Sequence, residues 1–326
     1  MIDVNSLIEL EDNFSGVMEK DVEPFLESIE KDGSFTSFDK KTLVYKCFET
    51  DDAKANVMLI HGFSEFTDKY YEMIYILVVN GYNVYTMDLR GHGLSERSVS
   101  DPSMVDVSSF NDYIKDLEIL YNLKLKHSKL ESYLLGHSMG GAIAVLFTEM
   151  HPDYFKKAVY SSPMVRMRTG KYPFFVVRAV AFFAKVFGKG KSYAAGQGPF
   201  NPKSRLLNSS CKSEARYEYI MNKRRGDVVK QTWGGSYNWT YAAVKCSDYI
   251  LKNRHVKKIK LPALVLAAGK DHMVKPEFIE KFALRLPNGT FKYVEEGRHE
   301  IYHGTASERK LFYTEVLNHF SSNFLI

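Results

Sequence analysis

Short apolar runs of strand length recur along the chain, separated by longer stretches in which apolar positions return every three or four residues. The runs are TLVYKCFE (residues 42–49), ANVMLIHG (55–62), YNVYTMDL (82–89), ESYLLGHS (131–138), KAVYSSP (157–163), PALVLAAG (262–269) and TFKYVEEG (290–297). Some of them, VMLI and LVLAA included, contain stretches apolar at every position, the pattern of strands covered on both faces. Helical periodicity predicts helices over residues 69–79, 110–124, 140–150, 276–286 and 307–320. This alternation argues an α/β fold with a mostly parallel central sheet flanked by helices. The rhythm stops between KAVYSSP and PALVLAAG, where aromatic and basic residues and glycine-rich breaks such as GKGKSYAAGQG take over. A helical cap inserted over residues 164–254 is therefore expected, with residues 33–163 and 255–326 forming the core and residues 1–32 a separate N-terminal segment.

Composition narrows the class. With 326 residues and 45% hydrophobic content, the chain can bury one large domain with an insertion, or two domains. Cys47, Cys211 and Cys246 lie far apart without a CxxC pair, which argues against a disulfide framework or a zinc site and for a reducing compartment. The start, MIDVNSLIELEDNFSGVMEK, lacks the basic residues and apolar run of a signal peptide, so a cytoplasmic placement is expected. The most apolar segment, PFFVVRAVAFFAKVF (173–187), is too short to span a bilayer and carries Arg178 and Lys185.

The net charge of +5 is unevenly spread. Residues 1–32 hold ten acidic and two basic side chains, whereas residues 164–230 hold fifteen basic and three acidic ones. The basic stretch fits a solvated face, the phosphate of a bound lipid, or peripheral contact with an anionic membrane at its inner face. No recognised nucleic-acid motif accompanies it, and no nucleic-acid partner is expected. GKGKS (188–192) is not a Walker loop, because Lys185 stands where that pattern requires glycine.

Candidate chemistry centres on LLGHSMGG (134–141). Gly136, Ser138 and Gly140 form GxSxG, in which the glycines permit a sharp strand-to-helix turn that holds the serine in a strained conformation. The helix that follows directs N–H groups, Met139 first, to where negative charge would develop on a reacting oxygen. A tight turn with an incidental serine is the plainer alternative. Two later positions favour chemistry: Asp271 lies just past PALVLAAG and His299 just past TFKYVEEG, in the order serine, acid, histidine. Loops beyond the carboxyl ends of parallel strands converge on one sheet edge, so the three can meet. Otherwise Asp271 caps a turn and His299 is a surface residue. His272 and His303 are rival histidines, the latter expected at the start of the final helical region, and His137 is expected to pack inside the elbow. A second oxyanion donor is offered by Phe63 in LIHGFSEF, with Gly62 turning the backbone and His61 as scaffold.

With these residues assembled, the chain resembles the monoacylglycerol lipases and bacterial lysophospholipases of the α/β-hydrolase family. The matching pieces are HGFSEFTDKY for an HGxxExxxRY pattern, DLRGHGLS (88–95), GHSMGG, GKD and EGRHE. Lys69 replaces the usual arginine, which would turn a bidentate contact into a single point charge. The resemblance implies Ser138 as nucleophile, Asp271 as acid and His299 as base, with the Phe63 and Met139 N–H groups as oxyanion hole. Arg90, Gly91, His92 and Gly93 match a structural loop. WGGSYNWTYAAV (233–244) is more similar to the bacterial lysophospholipases than to the animal monoglyceride lipases. The implied reaction is ester hydrolysis through an acyl-enzyme, with no metal or organic cofactor and a single-chain lipid ester as substrate. Phe174, Phe175, Phe182 and Phe183 are expected either to line an acyl pocket or to form core. Short-chain or aromatic esters, N-terminal peptide cleavage and a non-catalytic binding role are the alternatives.

Overall fold

The computed structural model describes residues 2–322. All seven expected strands form, and another precedes them. In chain order the strands are β1 (Glu30–Thr36), β2 (Thr42–Phe48), β3 (Ala55–Ile60), β4 (Tyr82–Met87), β5 (Met104–Val105), β6 (Ser132–His137), β7 (Lys157–Ser161), β8 (Gly234–Gly235), β9 (Ala263–Ala268) and β10 (Gly289–Val294). Eight make one sheet, ordered β1-β2-β4-β3-β6-β7-β9-β10. Only the β1–β2 and β2–β4 pairings are antiparallel; the other neighbours run parallel.

The helices are α1 (Val4–Glu9), α2 (Phe14–Val17), α3 (Glu23–Ile29), α4 (Tyr71–Val79), α5 (Phe110–Lys124), α6 (Met139–Met150), α7 (Phe174–Val186), α8 (Glu214–Gly226), α9 (Tyr237–Ile250), α10 (Asn253–Val256), α11 (Pro276–Ala283) and α12 (Ala306–Ser321). The continuous apolar runs are explained by two cores, one on each face of the sheet. Met58, Ile60 and Leu134 point into a core shared with α5, α6, α9 and α11. Their alternating neighbours Val57, Leu59, Tyr133 and Leu135 enter a second core with α1, α4 and α12.

Two features were not anticipated. The acidic N-terminal segment is folded: Leu7, Phe14, Met18, Val22 and Leu26 are buried in the second core. It continues into β1, an edge strand straddling residue 32, so no break falls at that position. Between β7 and β9 the chain builds α7 to α10, and β8 pairs with β5 to tie this insertion to the core. No helix among the described residues is long and apolar enough to cross a membrane.

Candidate active site

Strand β6 ends at His137, and α6 begins one residue after Ser138. The reversal is concentrated on Ser138 itself, which has φ 53° and ψ −116°, a conformation that costs a non-glycine residue free energy. Three backbone bonds hold it there. Ser138 N–H donates to the Ser161 carbonyl at 2.9 Å, and the Ser138 carbonyl accepts from Ala142 N–H at 3.0 Å and Met164 N–H at 2.9 Å. The glycines act differently from the turn-making role expected of them, since neither takes a positive φ. A Cβ at Gly136 would lie 2.5 Å from the Gly140 carbonyl oxygen, and one at Gly140 would lie 2.2 Å from that of Ile60. They are glycine so that α6 can start against β3 and β6.

Asp271 follows β9, and both readings of it hold at once. Its Oδ1 accepts the N–H groups of Met273 and Val274 at 2.7 and 2.8 Å, as a turn-capping aspartate does. Its Oδ2 lies 2.6 Å from Nδ1 of His299, which follows β10. His299 Nε2 is 2.7 Å from Ser138 Oγ. With Nδ1–H donated to the carboxylate, Nε2 is left to accept the serine proton. Burial disfavours the imidazolium, but the Asp271 carboxylate outweighs it and holds His299 above the ordinary imidazole range. Burial also opposes ionisation of Asp271, yet His299 and the two backbone N–H groups keep its carboxyl below the usual range.

The other histidines have separate places. His137 packs against His299, with ring centroids 4.9 Å apart, and burial pushes it down to about 3, so it stays neutral. His303 sits in a short 3₁₀ turn, Ile301–His303, bonded to Glu300 at 2.9 Å, whereas the last helix starts at Ala306 behind a Thr305–Glu308 capping box. His272 lines the cavity described below without joining the relay.

The loop after β3 is fixed from several sides. His61 Nε2 accepts Leu89 N–H at 2.9 Å, and His92 Nε2 accepts Ser64 N–H at 3.2 Å; burial keeps both rings neutral. Gly62 N–H donates to Glu65. Lys69 Nζ bridges Glu65 at 2.6 Å and Glu300 at 2.8 Å, so the lysine serves two carboxylates rather than gripping one. Burial opposes charge on Glu65, but the Lys69 ammonium brings it down to about 2. Among the described residues, the N–H groups of Phe63 and Met139 donate to nothing. They are open donors on the two segments that flank Ser138.

Ser138 and His299 open into a cavity of about 330 Å³. Phe63, Tyr217, Ile220, Met221, Trp233 and Met273 give it apolar wall, and Arg216 and Arg224 add charge. Phe174, Phe175, Phe182 and Phe183 are not part of it. Helix α7 lies on α9, with Ala181 buried and Phe175 72% exposed, so its aromatic face meets solvent instead of the site. Helix α8 takes the place expected of α7. Its sequence, EARYEYIMNKRRG, reads as a basic surface helix because the buried positions include two arginines.

Residues 51–305 match the Hydrolase_4 family model, described as serine aminopeptidase, S33. Lysophospholipase L2 of Escherichia coli (strain K12) is 26% identical over 279 residues, covering 85% of this chain and 81% of that protein. Monoglyceride lipase of Homo sapiens is 36% identical over 117 residues, 36% of this chain and 37% of that one. A soluble variant of the Saccharomyces cerevisiae monoglyceride lipase, solved with a substrate analogue, superposes with a TM-score of 0.72 at 19% identity, covering 89% of this chain and 94% of that one, a likeness of fold. A family match over most of the chain, on a sheet of this order, means that the protein is an α/β-hydrolase belonging to the Hydrolase_4 family, serine aminopeptidase S33.

Proposed function

We propose that this enzyme is a carboxylic ester hydrolase that cleaves single-chain acyl lipids, lysophospholipid or monoacylglycerol, through an acyl-enzyme on Ser138. The observation that carries the reading is the continuous relay from Asp271 through His299 to Ser138, with both hydrogen bonds under 2.8 Å. His299 takes the Ser138 proton as Oγ attacks the acyl carbonyl, and the Phe63 and Met139 N–H groups receive the oxyanion. The imidazolium, stabilised by Asp271, returns its proton to the departing alcohol. Water then repeats the sequence and releases the fatty acid. Support for lipid substrates comes from the apolar wall beside Ser138 and from the relatives named for lipid hydrolysis.

The family description raises aminopeptidase activity as a second reading. An aminopeptidase must bind the substrate's ammonium group, and the carboxylates lining this cavity, Glu65 and Glu300, are already engaged by Lys69. That favours an ester. Membrane contact is proposed through the exposed aromatic face of α7 and its basic flanks. Fatty-acid release from both lipid classes and fluorophosphonate labelling are expected of the wild type, and Ser138→Ala should lose both while keeping its circular dichroism spectrum. A folded wild type that neither releases fatty acid nor takes the probe would refute the reading. A p-nitrophenyl ester series in which short chains are preferred throughout would point to a short-chain esterase instead.

A further inference from the structure

One wall of the cavity carries a guanidinium to which no carboxylate among the described residues is bound. Arg224, in the last turn of α8, is 5% exposed and lines the cavity that Ser138 enters. Nη1 donates to the Thr232 carbonyl at 2.8 Å and Nη2 to the Ser64 carbonyl. The rings of Phe66 and Trp233 lie beside it, 5.4 and 5.5 Å from Cζ. These contacts orient the group without neutralising it. Nε–H and the second hydrogens of both terminal nitrogens have no partner among the described residues.

The nearby carboxylates make their hydrogen bonds elsewhere and reach Arg224 only through space. Lys69 Nζ takes Oε1 of Glu65 at 2.6 Å and Oε1 of Glu300 at 2.8 Å. The remaining oxygen of Glu65 accepts from Gly62 N–H and the Tyr70 hydroxyl, and that of Glu300 faces His303. Arg216, the other cavity arginine, is bound by Glu72 and by the Leu7 and Leu10 carbonyls. Burial brings Arg224 down to about 10 against the pull of the Glu65 and Glu300 carboxylates, still charged at neutral pH. A buried cation with no carboxylate in contact is costly, and the cost is recovered when a ligand brings the anion into contact.

We propose that Arg224 binds the phosphate of a lysophospholipid head group while the ester carbonyl lies at Ser138, making lysophospholipid the preferred substrate over monoacylglycerol. This rests on the ester-hydrolase reading of Ser138. A phosphodiester offers two anionic oxygens to a planar fork of donors, whereas the hydroxyls of a monoacylglycerol leave the charge unmatched.

The test compares one acyl chain presented as lysophosphatidylcholine and as monoacylglycerol in the same detergent micelles. Arg224→Met should lower the ratio of kcat/KM, lysophospholipid over monoacylglycerol, by about 10- to 100-fold, mainly through KM. Arg224→Lys should fall between it and the wild type. Because Arg224 also holds Ser64, next to Phe63, its loss can slow both substrates. An equal loss on both would make it a positioning residue and overturn the proposal.

Wild-type competition supplies an arm that does not depend on a variant's folding. Glycerol 3-phosphate should inhibit monoacylglycerol hydrolysis competitively, and glycerol should not. Inorganic phosphate matching glycerol 3-phosphate, in a wild type with no lysophospholipid preference, would assign the site to free phosphate and overturn the proposal. Fatty-acid release with an unchanged ratio in Arg224→Met sinks this inference alone. No release from either substrate sinks the ester reading, and this one with it.

Discussion

A methyl group at Gly140 would sit 2.2 Å from the Ile60 carbonyl oxygen and 2.4 Å from that of His61, and backbone atoms cannot give way as a flexible side chain can. Gly140→Ala must therefore move α6 away from β3. The expected cost is at least about 1–3 kcal/mol, with slower fluorophosphonate labelling because the Met139 N–H moves with the helix. Gly226→Ala, with open space around the added Cβ, should leave thermal unfolding nearly unchanged. The glycine pattern was legible in GHSMGG; its division of labour was not, because spacing alone does not distinguish a glycine that turns the chain from one that makes room for another strand. Asp271 and His299 were legible through their order and their positions just after strands, but the two-sided use of Asp271 depends on how the turn after β9 folds back on its carboxylate, which spacing does not carry. Removing it gives a pH prediction. In the proposed mechanism His299 must be neutral to accept the Ser138 proton, and Asp271 raises its pKa, so the rising limb of kcat/KM against pH should have its midpoint above the ordinary imidazole range. In Asp271→Asn burial remains and its largest opponent is gone, with only the more distant Glu300 and Glu65 left to oppose it, so the midpoint should move to lower pH. The rate should drop on the order of 10⁴-fold. A midpoint unmoved in the variant would mean that another group sets the limb.

Helix α8 joins the cavity to the N-terminal helices, and the joint is Arg216. Its guanidinium is fully buried, meets Glu72 of α4 through Nε at 2.9 Å, and donates to the Leu7 and Leu10 carbonyls at 3.0 and 2.7 Å. Glu23 adds a second tie to α8 through Lys223 at 2.9 Å. Arg216→Ala leaves Glu72 buried and unpaired, a loss of about 3–5 kcal/mol, readable as a lower urea midpoint. KM should rise too, because α8 forms one wall of the cavity. Arg216→Met with Glu72→Met should recover much of the stability, since no isolated charge remains; a double variant as unstable as Arg216→Ala would argue against the ion pair as the cause. The signal for these elements was present but masked. Phe14, Met18, Val22 and Leu26 return every four residues, a helical stripe obscured by the ten acidic side chains among which it is set. Strand β1 was hidden for a different reason: at the sheet edge, with most of EKDGSFT facing water, it has no apolar run to betray it.

Across the whole molecule, the basic excess of residues 164–230 divides into charges used inside and charges left outside. Arg216, Lys223 and Lys230 pair with Glu72, Glu23 and Asp68, joining the insertion to the core and the N-terminal helices. Lys171, Lys185 and Lys189 are exposed and have no ion pair among the described residues. They flank an α7 surface on which Phe175, Phe182, Phe183 and Phe187 are 72%, 43%, 54% and 76% exposed. So many adjacent aromatics are costly in water, and the proposed membrane contact would set them and their basic rim against an anionic surface. Each phenylalanine contributes about 1.5–3 kcal/mol when fully buried, and each basic residue near an anionic leaflet about 1 kcal/mol. Replacing the four phenylalanines with serine should therefore weaken binding to phosphatidylglycerol-containing vesicles by more than about 100-fold, even with partial insertion. Replacing the three lysines with glutamine should weaken it less and flatten its salt dependence. Since α7 lies outside the cavity, turnover of a soluble p-nitrophenyl ester should stay at the wild-type rate in both variants. If vesicle sedimentation is unchanged by the serine substitutions, α7 is not the contact. If soluble-ester turnover falls with it, the aromatic face supports the active site through α9 instead of carrying the enzyme to a surface.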